Sequence, residues 1–159
     1  MNRIRIIAVG KVKETYLLQA LQEYEKRLRP YLKLEFEEVG DLPCPEKASP
    51  AQEEQVLKQE GELIQGRLNP KDYLVVLDRQ GQEMTSIEFA DFLNQRISFG
   101  ETVTFVIGGS LGLTKNIIQR AQLKLSFSRL TFPHQLFRVI LLEQIYRAVK
   151  INRGEKYHK

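Results

Sequence analysis

Three short apolar runs restrict the folding of this chain more than any other feature. Residues 3–9 (RIRIIAV), 73–77 (YLVVL) and 102–107 (TVTFVI) are β-rich and almost continuously apolar at their centres. Such runs suit strands covered on both faces, as in a parallel sheet. Segments of helical period lie between them. Residues 14–28 place Leu17, Leu21, Tyr24 and Leu28 on one stripe, which Pro30 stops. Residues 51–68 read as a polar helix with the few apolar anchors Val56, Leu63 and Ile64, ended by Asn69-Pro70. Ser86 can cap a helix to about residue 97, with Ile87, Phe89, Ala90 and Leu93 inward. Two further strands are expected, around Leu34 and Phe36 and around Leu123, Leu125 and Phe127. The last helix should run from His134 to about residue 151, with Pro133 in its first turn. Strands alternating with helices give an α/β class: a mainly parallel sheet flanked by helices. With 159 residues and no repeat or linker, residues 1–159 form a single domain.

The residues between these elements narrow the function. Three prolines within residues 43–50 make 41–50 an extended loop, with the lone cysteine, Cys44, inside it. One cysteine excludes an intrachain disulfide and a cysteine-only zinc site, and points to a reducing, cytoplasmic setting. No apolar run approaches the ~18–20 residues that cross a bilayer. The N-terminal run is too short for a signal-peptide core, so a soluble protein without export or membrane association is expected.

The formal net charge of +4 is unevenly spread, because residues 114–159 hold 10 basic and only 2 acidic side chains. Such a block suits a polyanion; it also suits the solvated face of an oligomer. The last helix is apolar almost all round, from Leu136, Phe137, Val139 and Ile140 through Ile145, Tyr146 and Val149. A helix of that kind buries two faces. The second face is covered either by another copy, giving a homodimer, or by the monomer's own core.

In open α/β sheets ligands bind beyond the carboxyl ends of strands. Three loops leave strand ends here, after Leu77, Ile107 and Phe127. The second is Gly108-Gly109-Ser110-Leu111-Gly112, which either admits a ligand to bare backbone or serves tight packing. It is neither a G-x-x-x-x-G-K-[ST] nor a G-x-G-x-x-G loop, so a classical Rossmann dinucleotide or methyl-donor site is disfavoured. With only His134 and His158 present, there is no zinc spacing, and no G-x-S-x-G elbow supports a hydrolase. His134 reads as a polar residue of a first helical turn. The tail gathers Arg153, Lys156, Tyr157, His158 and Lys159. It is either frayed and idle or a set for gripping phosphate and moving a proton.

Several segments carry a resemblance. The strand Ile6-Ile7-Ala8-Val9-Gly10-Lys11, the helix end Tyr24-Glu25-Lys26-Arg27-Leu28 and Phe105-Val106-Ile107-Gly108-Gly109-Ser110 belong to it. So do Leu125-Ser126-Phe127-Ser128, Thr131-Phe132-Pro133-His134-Gln135 and the ending Arg153-Gly154-Glu155-Lys156-Tyr157-His158-Lys159. Together they resemble the ribosomal RNA large-subunit methyltransferase H family, the pseudouridine N3-methyltransferases of the SPOUT superfamily. The likeness spans essentially the whole chain. It implies a C-terminal trefoil knot, which general topology rules would argue against, and a homodimer. It implies S-adenosylmethionine as cofactor, at the positions matched by Leu77, Gly108, Phe127, Ser128, Arg129, Leu130, Thr131 and Phe132. The implied substrate is a pseudouridine of large-subunit rRNA in the assembled ribosome.

Within that resemblance His158, Tyr157 and Arg153 are the expected catalytic residues, and Lys156 and Lys159 the expected RNA contacts. A histidine with a reference pKa of ~6.5 suits proton traffic near neutrality. Arginine and lysine suit phosphate and a developing anion, and no metal is needed. Two other readings stay open: a non-catalytic RNA- or ribosome-binding module, and a SPOUT methyltransferase acting on tRNA.

Overall fold

The computed structural model describes residues 2–40 and 42–159. Asp41, the first residue of the expected extended loop, lies outside them. The elements in order are β1 (Arg3–Val9), α1 (Thr15–Leu28), β2 (Lys33–Val39), α2 (Pro50–Gln65), β3 (Tyr73–Glu83), α3 (Ser86–Ser98), β4 (Val103–Ile107), α4 (Lys115–Arg120), β5 (Leu123–Ser126) and α5 (His134–Asn152). The strands form one sheet in the order β2-β1-β4-β3-β5, every pair parallel.

The apolar runs behave as doubly covered strands. Ile4, Ile6 and Ala8 of β1 face one layer, packed with Leu17, Leu21 and Leu28 of α1, Phe89 and Leu93 of α3, and Leu141, Leu142 and Ile145 of α5. Ile7 and Val9 face the other, with Ile64 of α2 and Ile117 of α4. Every residue of β4 is buried, as a central parallel strand requires.

Four local expectations need correction. The strand at 73–77 does not end at Leu77. Gln82 and Glu83 rejoin β5 beside Leu125 and Ser126, so residues 78–81 bulge out of a longer strand. Gly81 makes the return possible, since a Cβ there would lie 2.6 Å from the Lys124 carbonyl oxygen. The α3 cap is Thr85, whose Oγ1 accepts from the Glu88 amide at 3.1 Å; Ser86 instead donates to Gln144 Oε1. Ile87 and Leu63, expected inward, are 54% and 44% exposed. Helix α2 starts one residue early, on a capping box between Ser49 and Gln52 with Pro50 next, and stops at Gln65. The six-residue α4 has too few turns to print a period on the sequence.

Helix α5 lies between α1 and α3. Leu141, Leu142, Ile145 and Ala148 are buried within the protomer, while Val139, Ile140, Tyr146 and Val149 are only partly covered and Leu136 is exposed. One polar group breaks its buried face. Arg138 is wholly buried, donating to Glu38 Oε2 at 2.7 Å and to the Val9 and Gly10 carbonyls at 2.8 Å each. It ties α5 to the ends of β1 and β2, where a lost partner would leave a costly unpaired charge.

Candidate functional site: a loop-lined cavity and a docked tail

The parallel order places the carboxyl ends of β4, β3 and β5 side by side. Their loops enclose a cavity of about 300 Å³ at that edge of the sheet, within the size range of small-molecule sites. The glycine loop 108–112 forms one wall. The 78–81 bulge and residues 127–132 form the others, and the first turn of α5 closes the base. Leu77, Ile107, Ile118, Leu125, Phe127 and Phe137 give the cavity an apolar lining, and the glycines expose backbone polar groups.

Loop 108–112 is folded tightly on itself. The Gly112 amide donates to the Gly109 carbonyl at 3.0 Å. A Cβ on Gly108 would sit 2.6 Å from the Gly112 carbonyl oxygen, so only glycine permits this fold of the loop. Behind it stands Glu60 of α2, 8% exposed, with its carboxyl pKa pushed up by burial. Its Oε1 lies 3.6 Å from where a Gly109 Cβ would project. At the mouth, Arg79 Nη1 donates to Thr131 Oγ1, joining the bulge to the 127–132 loop.

Of the positions expected to hold a cofactor, Leu77, Gly108, Phe127, Ser128, Leu130, Thr131 and Phe132 all line this cavity. Arg129 does not. Its side chain is 90% exposed and approaches Glu83 at 3.9 Å. The sequence reading missed Asp78 and Arg79, because it ended the strand before them, and Ile118, which sits on the unforeseen α4. His134 also lines the cavity. Burial, then the charge of Arg138, lowers its pKa, so its neutral form is favoured.

The tail residues are elsewhere. Helix α5 has 19 residues, and at 1.5 Å per residue its ends are about 27 Å apart. The cavity lies at its first turn. The tail leaves its last turn and folds back along it, Tyr157 reaching Glu143 and His158 reaching Arg147, about 14 and 20 Å along the axis from His134. The tail is not frayed. Glu155 accepts from Lys150 Nζ, from Arg153 Nε at 2.9 Å and from the Tyr31 hydroxyl at 3.1 Å. These donors hold its carboxyl at about 2, with Lys150 first among the causes. Arg153 also lies over the Tyr31 ring at 5.0 Å. Tyr157 donates to Glu143 Oε1 at 3.1 Å and meets the Tyr146 ring edge-on at 4.9 Å. Burial, then Glu143, pushes its phenol up to about 12. His158 is exposed, with Nδ1 3.2 Å from Arg147 Nη1; Lys156 and Lys159 are exposed as well. The structure therefore brings Tyr157 and His158 together on Arg147 and Glu143, and sets Arg153 apart in the Glu155 cluster.

Among the described residues no group of His, Cys, Asp and Glu has the makings of a metal site, and no helix is long and apolar enough to cross a membrane.

Comparison with known proteins identifies the family. The model of a family described as "Predicted SPOUT methyltransferase" matches residues 2–158. The "Ribosomal RNA large subunit methyltransferase H" of Carboxydothermus hydrogenoformans is 52% identical over 157 residues, covering 98% of this chain and 99% of that one. The protein of the same name from Symbiobacterium thermophilum is 54% identical over 160 residues, covering 99% of each. Among solved structures, a probable methyltransferase from Bordetella pertussis Tohama I superposes with a TM-score of 0.60 at 14% identity, over 93% of this chain and 95% of that one. The SpoU methyltransferase AviRb from Streptomyces viridochromogenes, solved with AdoMet, gives 0.50 at 11% identity, over 98% of this chain and 60% of that one. Those two likenesses speak to the fold alone; the full-length family match and the relatives near 50% identity show that the chain belongs to the SPOUT methyltransferases, in the ribosomal RNA large subunit methyltransferase H group.

Proposed function

We propose that this protein transfers the methyl group of S-adenosylmethionine to N3 of a pseudouridine in large-subunit rRNA, on the assembled ribosome in the cytoplasm. The observation that carries the reading is the convergence of the 78–81, 108–112 and 127–132 loops on one cavity, at the residues the resemblance singled out. The names of the half-identical relatives support the rRNA substrate.

The cavity fits the cofactor. Its apolar lining suits an adenine ring, and the tight glycine loop lets a ligand lie against bare backbone. Leu77, Gly108, Phe127, Ser128, Leu130, Thr131 and Phe132 would hold it, and the family's trefoil knot is the proposed means of fixing these loops together. Arg129 keeps at most a backbone role there, since its side chain points out. The cofactor supplies a methyl carbon made electrophilic by its sulfonium. The protein's part is alignment of the imide nitrogen and stabilisation of the anion that forms as N3 loses its proton.

One protomer does not bring its own tail to its own cavity. A second copy lying antiparallel along α5 would bring each tail toward the other's cavity, since the cavity sits at the first turn of this helix and the tail packs along its second half. The partly covered stripe with Leu136 and Ile140 supports such a homodimer. We assign Tyr157 and His158 to the imide. Arg153 supports them through Glu155, and Lys156 and Lys159 take RNA phosphates.

The test is methyl transfer from labelled donor to intact ribosomes, free subunits and free rRNA, side by side. Label on the ribosome that maps to N3 of one pseudouridine is the expected result. A protein that binds ribosomes but gives neither calorimetric heat nor thermal shift with S-adenosylmethionine would be a binding module instead. Transfer to tRNA alone would move the substrate.

A further inference from the structure

Arg147 decides which nitrogen of His158 carries hydrogen. Its Nη1 lies 3.2 Å from His158 Nδ1. A guanidinium has donors only and stays protonated, so this contact requires Nδ1 to offer a lone pair. Arg147 is itself held. Its Nε and Nη2 donate to Glu143 Oε1 at 3.1 and 2.6 Å, and its guanidinium carbon lies 4.8 Å from the Tyr157 ring centre. Glu143 is fixed in turn by the Tyr157 hydroxyl at 3.1 Å and, on its other oxygen, by Gln144 at 2.8 Å. A neutral imidazole that accepts at Nδ1 carries its hydrogen on Nε2.

Charged and titratable groups surround the ring. From α5 they are Arg147 and Glu143, the carboxylate already taken up by Arg147 and Tyr157. Lys156, Tyr157 and Lys159 flank the ring in the tail. Arg27 and Tyr24 of α1 stand one aromatic layer away, against Tyr146.

We propose that His158 acts as a neutral Nε2–H hydrogen-bond donor to a carbonyl oxygen of the pyrimidine imide, with Arg147 as the positioning residue that fixes this tautomer, and that His158 is not the base for N3. The proposal rests on the reading that the tail meets the imide in a partner's cavity. Loss of the N3 proton spreads negative charge onto the two flanking carbonyl oxygens, where a preset donor acts most strongly. In the balanced step the N3–H proton goes to water and the N3 lone pair forms the N–CH₃ bond. The sulfur keeps the electron pair of the broken S–CH₃ bond, and His158 ends with the hydrogen it began with.

Two measurements on the full-length protein test this. Nitrogen-15 NMR of the histidine side chains at neutral pH should show His158 hydrogen-bearing at Nε2 and bare at Nδ1. In Arg147→Met, which removes the donor, it should become a mixture of tautomers. A hydrogen on Nδ1 in the wild-type protein would overturn the proposal. Single-turnover methylation should then place His158→Gln, whose amide nitrogen falls where Nε2 lies, within about tenfold of wild type. His158→Ala should fall ~10²-fold or further. A base cannot be replaced by an amide, so His158→Gln as slow as His158→Ala would overturn the donor role. A wild-type protein that transfers no methyl would refute the methyltransferase reading and the donor role together, while the nitrogen spectrum would still decide the tautomer.

Discussion

A single absent Cβ holds the glycine loop in shape. A methyl group at Gly108 would meet the Gly112 carbonyl oxygen at 2.6 Å, a backbone atom that no rotamer change can move. Gly108→Ala should therefore displace the loop and lower S-adenosylmethionine affinity at least tenfold by calorimetry, with the fold retained by circular dichroism. Unchanged affinity would remove residues 108–112 from the cofactor site. Glu155 gives a second test at this scale. Its folded pKa is depressed to about 2, against an ordinary ~4.3 for glutamate. A carboxyl with a depressed folded pKa contributes above its unfolded value, and the contribution fades as pH falls through the folded one. The tail should stay docked from neutrality to about pH 4.3 and loosen between there and about 2. Glu155→Gln should release it at pH 7, read as faster proteolysis after Arg153 and as sharpened Tyr157 and His158 resonances. A tail equally protected in Glu155→Gln would leave Tyr157 as its anchor. The sequence displayed the residue types of this cluster but not their pairing. Tyr31 and Glu155 are 124 positions apart, and no local pattern announces a contact of that range.

Elements were more legible than contacts, because strands and helices announce themselves through period. The three apolar runs became buried parallel strands, and the glycine loop followed the third, as expected. The failures have local causes. The bulge at 78–81 reads as a terminating turn, because Asp78, Arg79, Gln80 and Gly81 have turn chemistry and nothing nearby signals that the strand resumes. Helix α5 shows where composition misleads. Its wide apolar arc is real, but it divides between the protomer's own core and a partly covered stripe. Ile145 is wholly buried and Leu136 is 38% exposed. The two positions must therefore respond differently to charge. Ile145→Asp buries an unpaired carboxylate in the core, a cost that exceeds the margin of many domains, and it should unfold the protein. Leu136→Asp and Ile140→Asp should give folded monomers at micromolar concentration, by ultracentrifugation with circular dichroism alongside. If both stay dimeric, the interface is not on this stripe.

At the scale of the whole molecule, the basic C-terminal block is weaker than its count suggests. Of the ten basic residues in 114–159, Arg138 is buried on Glu38, Arg147 is held by Glu143, and Lys150 and Arg153 share Glu155. Arg129 approaches Glu83. Those cations build the fold and dock the tail. Lys115, Arg120, Lys124, Lys156 and Lys159 are in no ion pair among the described residues and are exposed; of these, Lys156 and Lys159 lie in the tail. Lys11 and Lys13, exposed on the loop after β1, form a competing pair on another face of the fold. Each phosphate contact made by a lysine contributes roughly one unit to the slope of log affinity against log salt. A dimer displays each lysine twice, but an asymmetric ribosomal site engages a given tail once. Reversing Lys156 and Lys159 to glutamate should thus lower the slope for ribosome binding by about two or more, and weaken binding most at low salt. S-adenosylmethionine affinity, which we assign to a cavity of other residues, should stay as it was. Reversal at Lys11 and Lys13 should change the slope by less than one. Filter binding across a salt series, run with both double variants, separates the cases. A larger loss from the Lys11 and Lys13 variant would place the RNA on the β1 loop and leave the tail to the imide alone.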